Sequence, residues 1–232
     1  MHVLAFDTCF GQVSVAVRHR TADGAWVTHA LAETLTTGHA ERLLPMIDAV
    51  MTEAGSRFAD IERIAVTLGP GTFTGVRTGI AAARALSLAT GKPVAGMTSL
   101  ALMAHSALGW LSDSRHGRPL AVAVDARRGE LYVQLFSADG DPVTGPRIMR
   151  LADALALLPE GNSLVAGSGG PLLAGLAAAR GRAIKAVLPA LEPDARALAG
   201  LAGTLPLLDP VKPLYLRAPD AKPQTAKSLL RA

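Results

Sequence analysis

Gly69-Pro70-Gly71-Thr72-Phe73-Thr74-Gly75-Val76-Arg77-Thr78-Gly79 is the segment whose residue types and spacing most plainly serve chemistry. The apolar run Ile64–Leu68 before it predicts a buried strand, and Ile80–Ala89 after it predicts a helix. A strand, a glycine turn and a helix start together make an anion-binding geometry. Glycines let a backbone approach a ligand closely, and unpaired N–H groups at the helix start favour negative charge. The chemistry to weigh is therefore phosphate binding at Gly69, Gly71 and Thr72. The segment is not a Walker loop, because no Lys-Ser or Lys-Thr follows the glycines. It is not the dinucleotide fingerprint either, because Gly75 comes one residue too late for G-x-G-x-x-G. A tight strand-to-helix turn, with Gly75 and Gly79 admitting another backbone, accounts for the same spacing without a ligand.

The other residues suited to chemistry sit at similar places. Val3-Leu4-Ala5-Phe6 predicts a strand ending at Asp7-Thr8, Val13–Val17 its hairpin partner, and Trp26–Leu31 a third strand. Thr36-Thr37-Gly38 introduces a helix, with Thr37 as its expected N-cap. Leu43, Leu44, Ile47, Val50 and Met51 recur there at helical spacing, and Pro45 either bends that helix or marks its start near Glu41. Val94–Met97 and Ser99–Ala107 predict a further strand and helix. The polar stretch 112–119 breaks both periodicities, so one lobe is expected over 1–111 and a second over 119–205. The second lobe repeats the opening: a strand, Leu120–Val124, ends at Asp125, and a second strand covers Leu131–Ser137. Ser163–Ala166 then runs into Gly167-Ser168-Gly169-Gly170. Leu151–Leu158 and Asp194–Ala202 predict short helices. The recurring prolines of 206–232 predict an extended, basic arm.

Composition narrows the classes. The chain has 232 residues, 50% of them hydrophobic, enough for a full core. No apolar stretch approaches the roughly 18–20 uncharged residues that span a bilayer, and the N-terminus has no signal-peptide pattern. The single Cys9 cannot close an internal disulfide, which points to a reducing cytoplasm. The formal net charge is +4. Lys212, Arg217, Lys222, Lys227 and Arg231 against Asp220 carry all of it, so the rest of the chain is neutral. The arm is thus the one candidate contact for RNA phosphates or an acidic partner. A solvated chain end explains the same charges without a partner.

Five segments, in this order and spacing, resemble the TsaB family. They are Leu4-Ala5-Phe6-Asp7-Thr8, His39-Ala40-Glu41-Arg42-Leu43-Leu44-Pro45, the glycine segment, Asp125-Ala126-Arg127-Arg128-Gly129-Glu130-Leu131-Tyr132, and Pro213-Leu214-Tyr215-Leu216-Arg217. The resemblance spans nearly the whole chain. It implies an α/β fold of two similar lobes with mixed β-sheets, of the actin-like, sugar-kinase-like class. It also implies a non-catalytic subunit of the machinery that makes threonylcarbamoyladenosine next to the anticodon of tRNA. The implied partners are a catalytic paralogue, TsaD, and an ATPase, TsaE, with tRNA engaged through the complex. Pairing with TsaD would use the first helices, and the chain alone would form a homodimer in the same way.

The residues bear on catalysis independently. The paralogue holds a metal through His-x-x-x-His on a helix, and here Ser99 and Met103 stand where that pair is expected. A hydroxyl and a thioether do not replace two imidazoles. No other histidines have metal spacing, so no metal is expected. A kinase or ATPase of this fold is the alternative reading. It needs acids that hold magnesium and activate a hydroxyl. Asp7 and Asp125 are available, but the first glycine loop carries no acid, and Arg127 and Arg128 stand ready to neutralise Asp125. No cofactor is required on this reading. Asp7, Thr8, Gly69, Gly71, Thr72, Asp125, Gly167 and Gly169 leave room for weak ATP or ADP binding. Cys9 has no histidine placed to activate it.

An interface explains the first two helices. The first carries a wide apolar arc (Leu43, Leu44, Ile47, Val50, Met51). The second is rich in Ala and Gly, and Ile80 and Ala81 stand between Arg77 and Arg84. Small residues permit close helix approach, and arginines suit an interface rim. Helices that merely cover their own sheet, with the arginines in solvent, account for the same pattern.

Overall fold

A computed structural model describes residues 1–111, 117–161 and 163–217. The expected boundary at 112–119 falls mostly outside them, as does the arm beyond 217. The first sheet has five strands, β1 (Val3–Asp7), β2 (Gln12–Arg20), β3 (Trp26–Thr34), β4 (Arg63–Thr67) and β5 (Val94–Met97), in the order β3-β2-β1-β4-β5. The second has β6 (Leu120–Asp125), β7 (Glu130–Phe136), β8 (Arg147–Arg150), β9 (Ser163–Ala166) and β10 (Ile184–Val187), in the order β10-β9-β6-β7-β8. Read from the opposite edge, the two orders are the same. In each sheet a meander of antiparallel strands is followed by parallel strands, β1–β4–β5 and β6–β9–β10. This is the duplicated, two-lobed α/β architecture with mixed sheets that the family resemblance implies.

The helices are α1 (His39–Glu53), α2 (Phe73–Thr90), α3 (Ser99–Trp110), α4 (Leu151–Leu157), α5 (Gly170–Ala179) and α6 (Ala195–Leu201). α1 begins one residue later than its expected cap. Gly38 is the N-cap, in a left-handed conformation at φ 87°, and no side chain caps the helix. Pro45 lies inside α1 without ending it. Thr72, Thr98 and Asp194 cap α2, α3 and α6 by accepting backbone N–H groups.

The sheets and helices stack in five layers. The even-numbered face of β1 (Leu4, Phe6) packs on α1 and α2, and its odd face (Val3, Ala5) on α6. β6 turns Ala121 and Ala123 toward α4 and α5, and Leu120 and Val122 toward α3. The third helix of each lobe thus roofs the sheet of the other. α3 lies on β6 and β7, and α6 lies on β1 and β2. The second lobe was expected to run through 205, yet α6 belongs spatially to the first sheet. The reason is its apolar face: Ala195, Leu198, Ala199 and Ala202 complete the small-residue surface of Ala5, Ala16 and Ala65. The described part of the arm, residues 206–217, runs extended. Leu208 N–H donates to Val94 O (2.8 Å) and Leu214 N–H to Leu68 O (2.6 Å), which lays the arm along the β5 edge and the glycine turn. No helix of the described residues is long and apolar enough to cross a membrane.

Candidate functional site

The glycine turn is built against its own chain. The Thr8 hydroxyl donates to Gly75 O at 2.6 Å, and the Thr72 N–H donates to Cys9 O at 2.8 Å. The Gly75 N–H is taken by the Thr72 hydroxyl at 3.1 Å. A β-carbon on Gly71 would overlap the Cys9 carbonyl, one on Gly75 the Thr8 carbonyl, and one on Gly69 would stand 2.7 Å from Leu214 O. Gly69 also requires its glycine for φ 99°. The second glycine turn is filled in the same way. Gly167 and Gly169 press on Ala123 of β6, and Gly169 N–H donates to Ala123 O at 2.9 Å. The glycines therefore serve contacts between backbones, and the amides of Thr72 and Gly75 that a phosphate would use are already engaged.

The acids have environments of their own. Asp7 is fully buried and accepts from the Thr67 hydroxyl and from Cys9 N–H at 3.2 Å. Burial pushes its carboxyl up to about 6, against these hydrogen bonds. Glu192, which the sequence did not single out, lies on the approach to α6. Burial, and then the charge of Asp7, raise it to about 7. The Cys9 thiol, buried beside Asp7, is pushed well above the usual thiol range, as an inert core cysteine should be. Asp125 accepts from Arg127 N–H at 2.8 Å and lies 3.6 Å from the Arg127 guanidinium, so it is neutralised within its own turn. Ser99 and Met103 are buried, and Ser99 donates to Pro70 O at 2.6 Å. Among the described residues no group of three His, Cys, Asp or Glu side chains is arranged to hold a metal ion.

The expected interface divides in two. Leu43, Ile47, Val50 and Met51 point into the chain's own core, and so does Ile80. The wide arc of α1 is absorbed by the sheet and by α2, so these residues are not free for a partner. Leu44 is 57% exposed, and Arg77 and Ala81 are exposed as well. Arg84 is exposed but engaged by the arm. Its guanidinium donates to Val211 O (Nε at 2.9 Å) and pins the arm on α2. Between α1 and α2 lies an open apolar groove of about 750 Å³, lined by Leu44, Phe73, Arg77, Ala81 and Ala85 among others. Phe73 is 48% exposed, with the Arg77 guanidinium 5.0 Å over its ring and Tyr215 of the arm 5.4 Å from it. Phe73 and Tyr215 were visible in the sequence only as members of the quoted segments. Their pairing across the arm had no local signal.

Known proteins carry the same pattern. Residues 32–166 match the family model described as TsaD, tRNA N6-adenosine threonylcarbamoyltransferase. A 139-residue stretch is 38% identical to the tRNA threonylcarbamoyladenosine biosynthesis protein TsaB of Escherichia coli, covering 60% of this chain and 56% of that protein. The chain is also 35% identical to an uncharacterized protein of Mycobacterium tuberculosis over 229 residues, 95% of this chain and 94% of the relative. The crystal structure of YeaZ from Pseudomonas aeruginosa superposes with a TM-score of 0.75 at 28% identity, covering 93% of this chain and 99% of that one. The chain belongs to the TsaB family. In this TsaB-family chain, then, the glycine turns hold backbones against one another, and the strand-end Asp7 is buried. The open apolar surface lies on the outer helices.

Proposed function

We propose that this chain is a non-catalytic partner subunit in tRNA threonylcarbamoyladenosine formation, and that it binds and activates a TsaD-like threonylcarbamoyltransferase through the α1–α2 groove. The observation that carries this reading is the groove itself. It is an apolar concavity on an outer layer, with Leu44 and Phe73 exposed and Arg77 at its side. Buried aromatic anchors with an arginine rim are what protein interfaces use. The family model that matches is named for the transferase, and the E. coli relative for the pathway. The same groove serves a homodimer when the chain is alone. A TsaE-like ATPase and tRNA are engaged through the assembled complex, in the cytoplasm. The chain itself requires no cofactor, and any ATP or ADP binding in its cleft is weak.

The test is co-purification with the TsaD-like paralogue followed by size-exclusion chromatography. Wild-type chains should elute together, and Leu44→Asp, at an exposed position, should separate them without lowering the melting temperature. Wild-type proteins that stay apart, with and without ATP, would sink the reading.

A further inference from the structure

We infer that the outer end of the β2–β3 hairpin, on the α6 side of the first sheet, is a contact surface for an RNA strand. The pairing register fixes which side chains share this face. Val3 of β1 packs with α6, and Arg18 of β2 stands opposite Val3. Arg20 follows two residues further along β2. Trp26 of β3 is opposite Arg20 in register, and Thr28 is opposite Arg18. Arg63 of β4 flanks Val3 on its other side. Arg18, Arg20, Trp26 and Arg63 therefore lie on one face of the sheet. The α1–α2 groove lies across the sheet from them, because Leu4 and Phe6 turn the other face of β1 to those helices.

Trp26 is 40% exposed. The Arg18 guanidinium lies 4.7 Å from the centre of its ring and the Arg20 guanidinium 5.0 Å. Among the described residues it is the one ring with two guanidiniums over it. Such contacts hold in place long side chains that would otherwise range through solvent, and so lower the cost of ordering them on a ligand. Arg18 Nη1 also donates to the Thr28 hydroxyl at 3.3 Å, and Arg63 Nη1 donates to Ala202 O at 2.5 Å, at the end of α6. Among the described residues none of these three guanidiniums has a carboxylate partner. The nearby acids are engaged otherwise. Asp23 in the hairpin turn accepts from the Thr21 hydroxyl and from Ala25 N–H at 3.4 Å, and Glu62 takes the Met1 ammonium at 3.2 Å. With Glu62 balanced by that ammonium, the three guanidiniums outnumber Asp23.

The chemistry favours a nucleic-acid strand over an acidic protein. Protein interfaces are built on an apolar centre, whereas the cross-strand neighbours of Trp26 on this face are Arg20 and, diagonally, Arg18. An RNA strand supplies both complements at once, phosphates for the guanidinium forks and a base for the indole. Aromatic side chains on an open sheet face are one of the recurring ways in which unpaired RNA is bound. Because the surface and the α1–α2 groove lie on opposite sides of the sheet, both can be occupied together. The inference rests on the reading that the chain works in tRNA modification, and it puts an RNA contact in the body of the chain rather than in the arm.

The experiment titrates labelled, unmodified tRNA with the full chain, alone and mixed with its TsaD-like paralogue, and reads fluorescence anisotropy across a salt series. Arg18→Gln with Arg20→Gln should weaken binding roughly tenfold and flatten the slope of log affinity against log salt by about two. Arg20→Gln alone gives up only the ring contact. It should flatten the slope by about one, and it decides the matter should the double variant misfold. The chain has two tryptophans, and Trp110 is 65% exposed, so a Trp110→Phe chain reports on Trp26 alone. Its emission should be quenched by tRNA. A chain that binds no tRNA at low salt, unchanged affinity and slope in folded Arg20→Gln, or Trp26 emission indifferent to bound tRNA would each overturn the inference. So would a polyglutamate peptide that quenches Trp26 as strongly as tRNA, which would assign the surface to an acidic protein. Pairing with the paralogue is read separately by size exclusion. Arginine-dependent RNA binding by a chain that does not pair would sink the docking reading alone, and pairing without such binding would sink this inference alone.

Discussion

Thr8 and Gly75 stand 67 positions apart and touch through their backbones. The Thr8 hydroxyl donates to the Gly75 carbonyl at 2.6 Å, and a β-carbon on residue 75 would overlap the Thr8 carbonyl oxygen. The strand-end turn after β1 and the start of α2 are thereby locked together. The overlap is with main chain rather than a movable side chain, so Gly75→Ala is expected to cost about 1–3 kcal/mol, or more if β1 must shift. Gly109, inside α3 with open space at its β-carbon position, is the matched control. Gly109→Ala should be neutral or stabilising by up to about 1 kcal/mol. Urea denaturation of both variants checks the pair, and equal midpoints would contradict the geometry.

Ile47 distinguishes core from interface on α1. It is 1% exposed and packs in the first lobe's core. Ile47→Ala should lower stability by about 2–5 kcal/mol, and Ile47→Asp should fail to fold rather than merely fail to pair. Circular dichroism of the isolated chain reads this directly. A folded Ile47→Asp protein that has lost pairing would reverse the assignment.

The Asp7 carboxyl makes stability depend on pH in an unusual direction. Its folded value is about 6 against 3.8 for the free side chain. The folded state therefore holds the proton more tightly than the unfolded one. Its contribution is fully favourable below about 3.8 and is lost as pH rises through about 6, after which a buried charge remains. Replacing it with the neutral Asp7→Asn should stabilise the protein at pH 7.5 by an amount of order 3 kcal/mol at most. That advantage should shrink steadily toward pH 4.5. Urea midpoints for both proteins at several pH values test this, and an advantage independent of pH would refute it.

Arg84 holds the arm from a distance. With its guanidinium on Val211 O, Arg84→Met should free the 206–217 segment while leaving the sheets intact. Limited proteolysis should cut this segment faster in the variant, with little change in melting temperature. Equal cleavage rates would show that Leu208 and Leu214, through their sheet-edge bonds, hold the arm unaided.

These residues also show what periodicity can and cannot convey. The meander of β1 to β3 was legible because alternation over many residues has one structural meaning. The lobe repetition was legible because Asp7 and Asp125 each end an apolar run. β8 and β10, four residues each at sheet edges, carry too little alternation to be seen. The arc of α1 was read correctly as apolar, but an arc does not say what covers it. Only the fold reveals that Ile47 faces the sheet and Leu44 the groove. Glu192 was illegible for the opposite reason. Nothing local marks it, and its raised carboxyl arises first from burial and then from the charge of Asp7, both of which exist only in the folded chain.

The exchange of α3 and α6 between the sheets has a consequence for how the chain can fold and move. Neither half of the sequence encodes a self-sufficient folding unit, because each sheet gets one of its two covers from the other half. Residues 1–111 expressed alone would expose the Ala5, Ala16 and Ala65 surface where α6 belongs, and α3 would lose the β6–β7 face that it covers. Such topology raises the mean sequence separation of native contacts, so folding should be slow and unfolding a single cooperative step. Wide hinge opening between the sheets would pull both helices off their seats at once. The shared helices are therefore expected to resist opening between the two sheets.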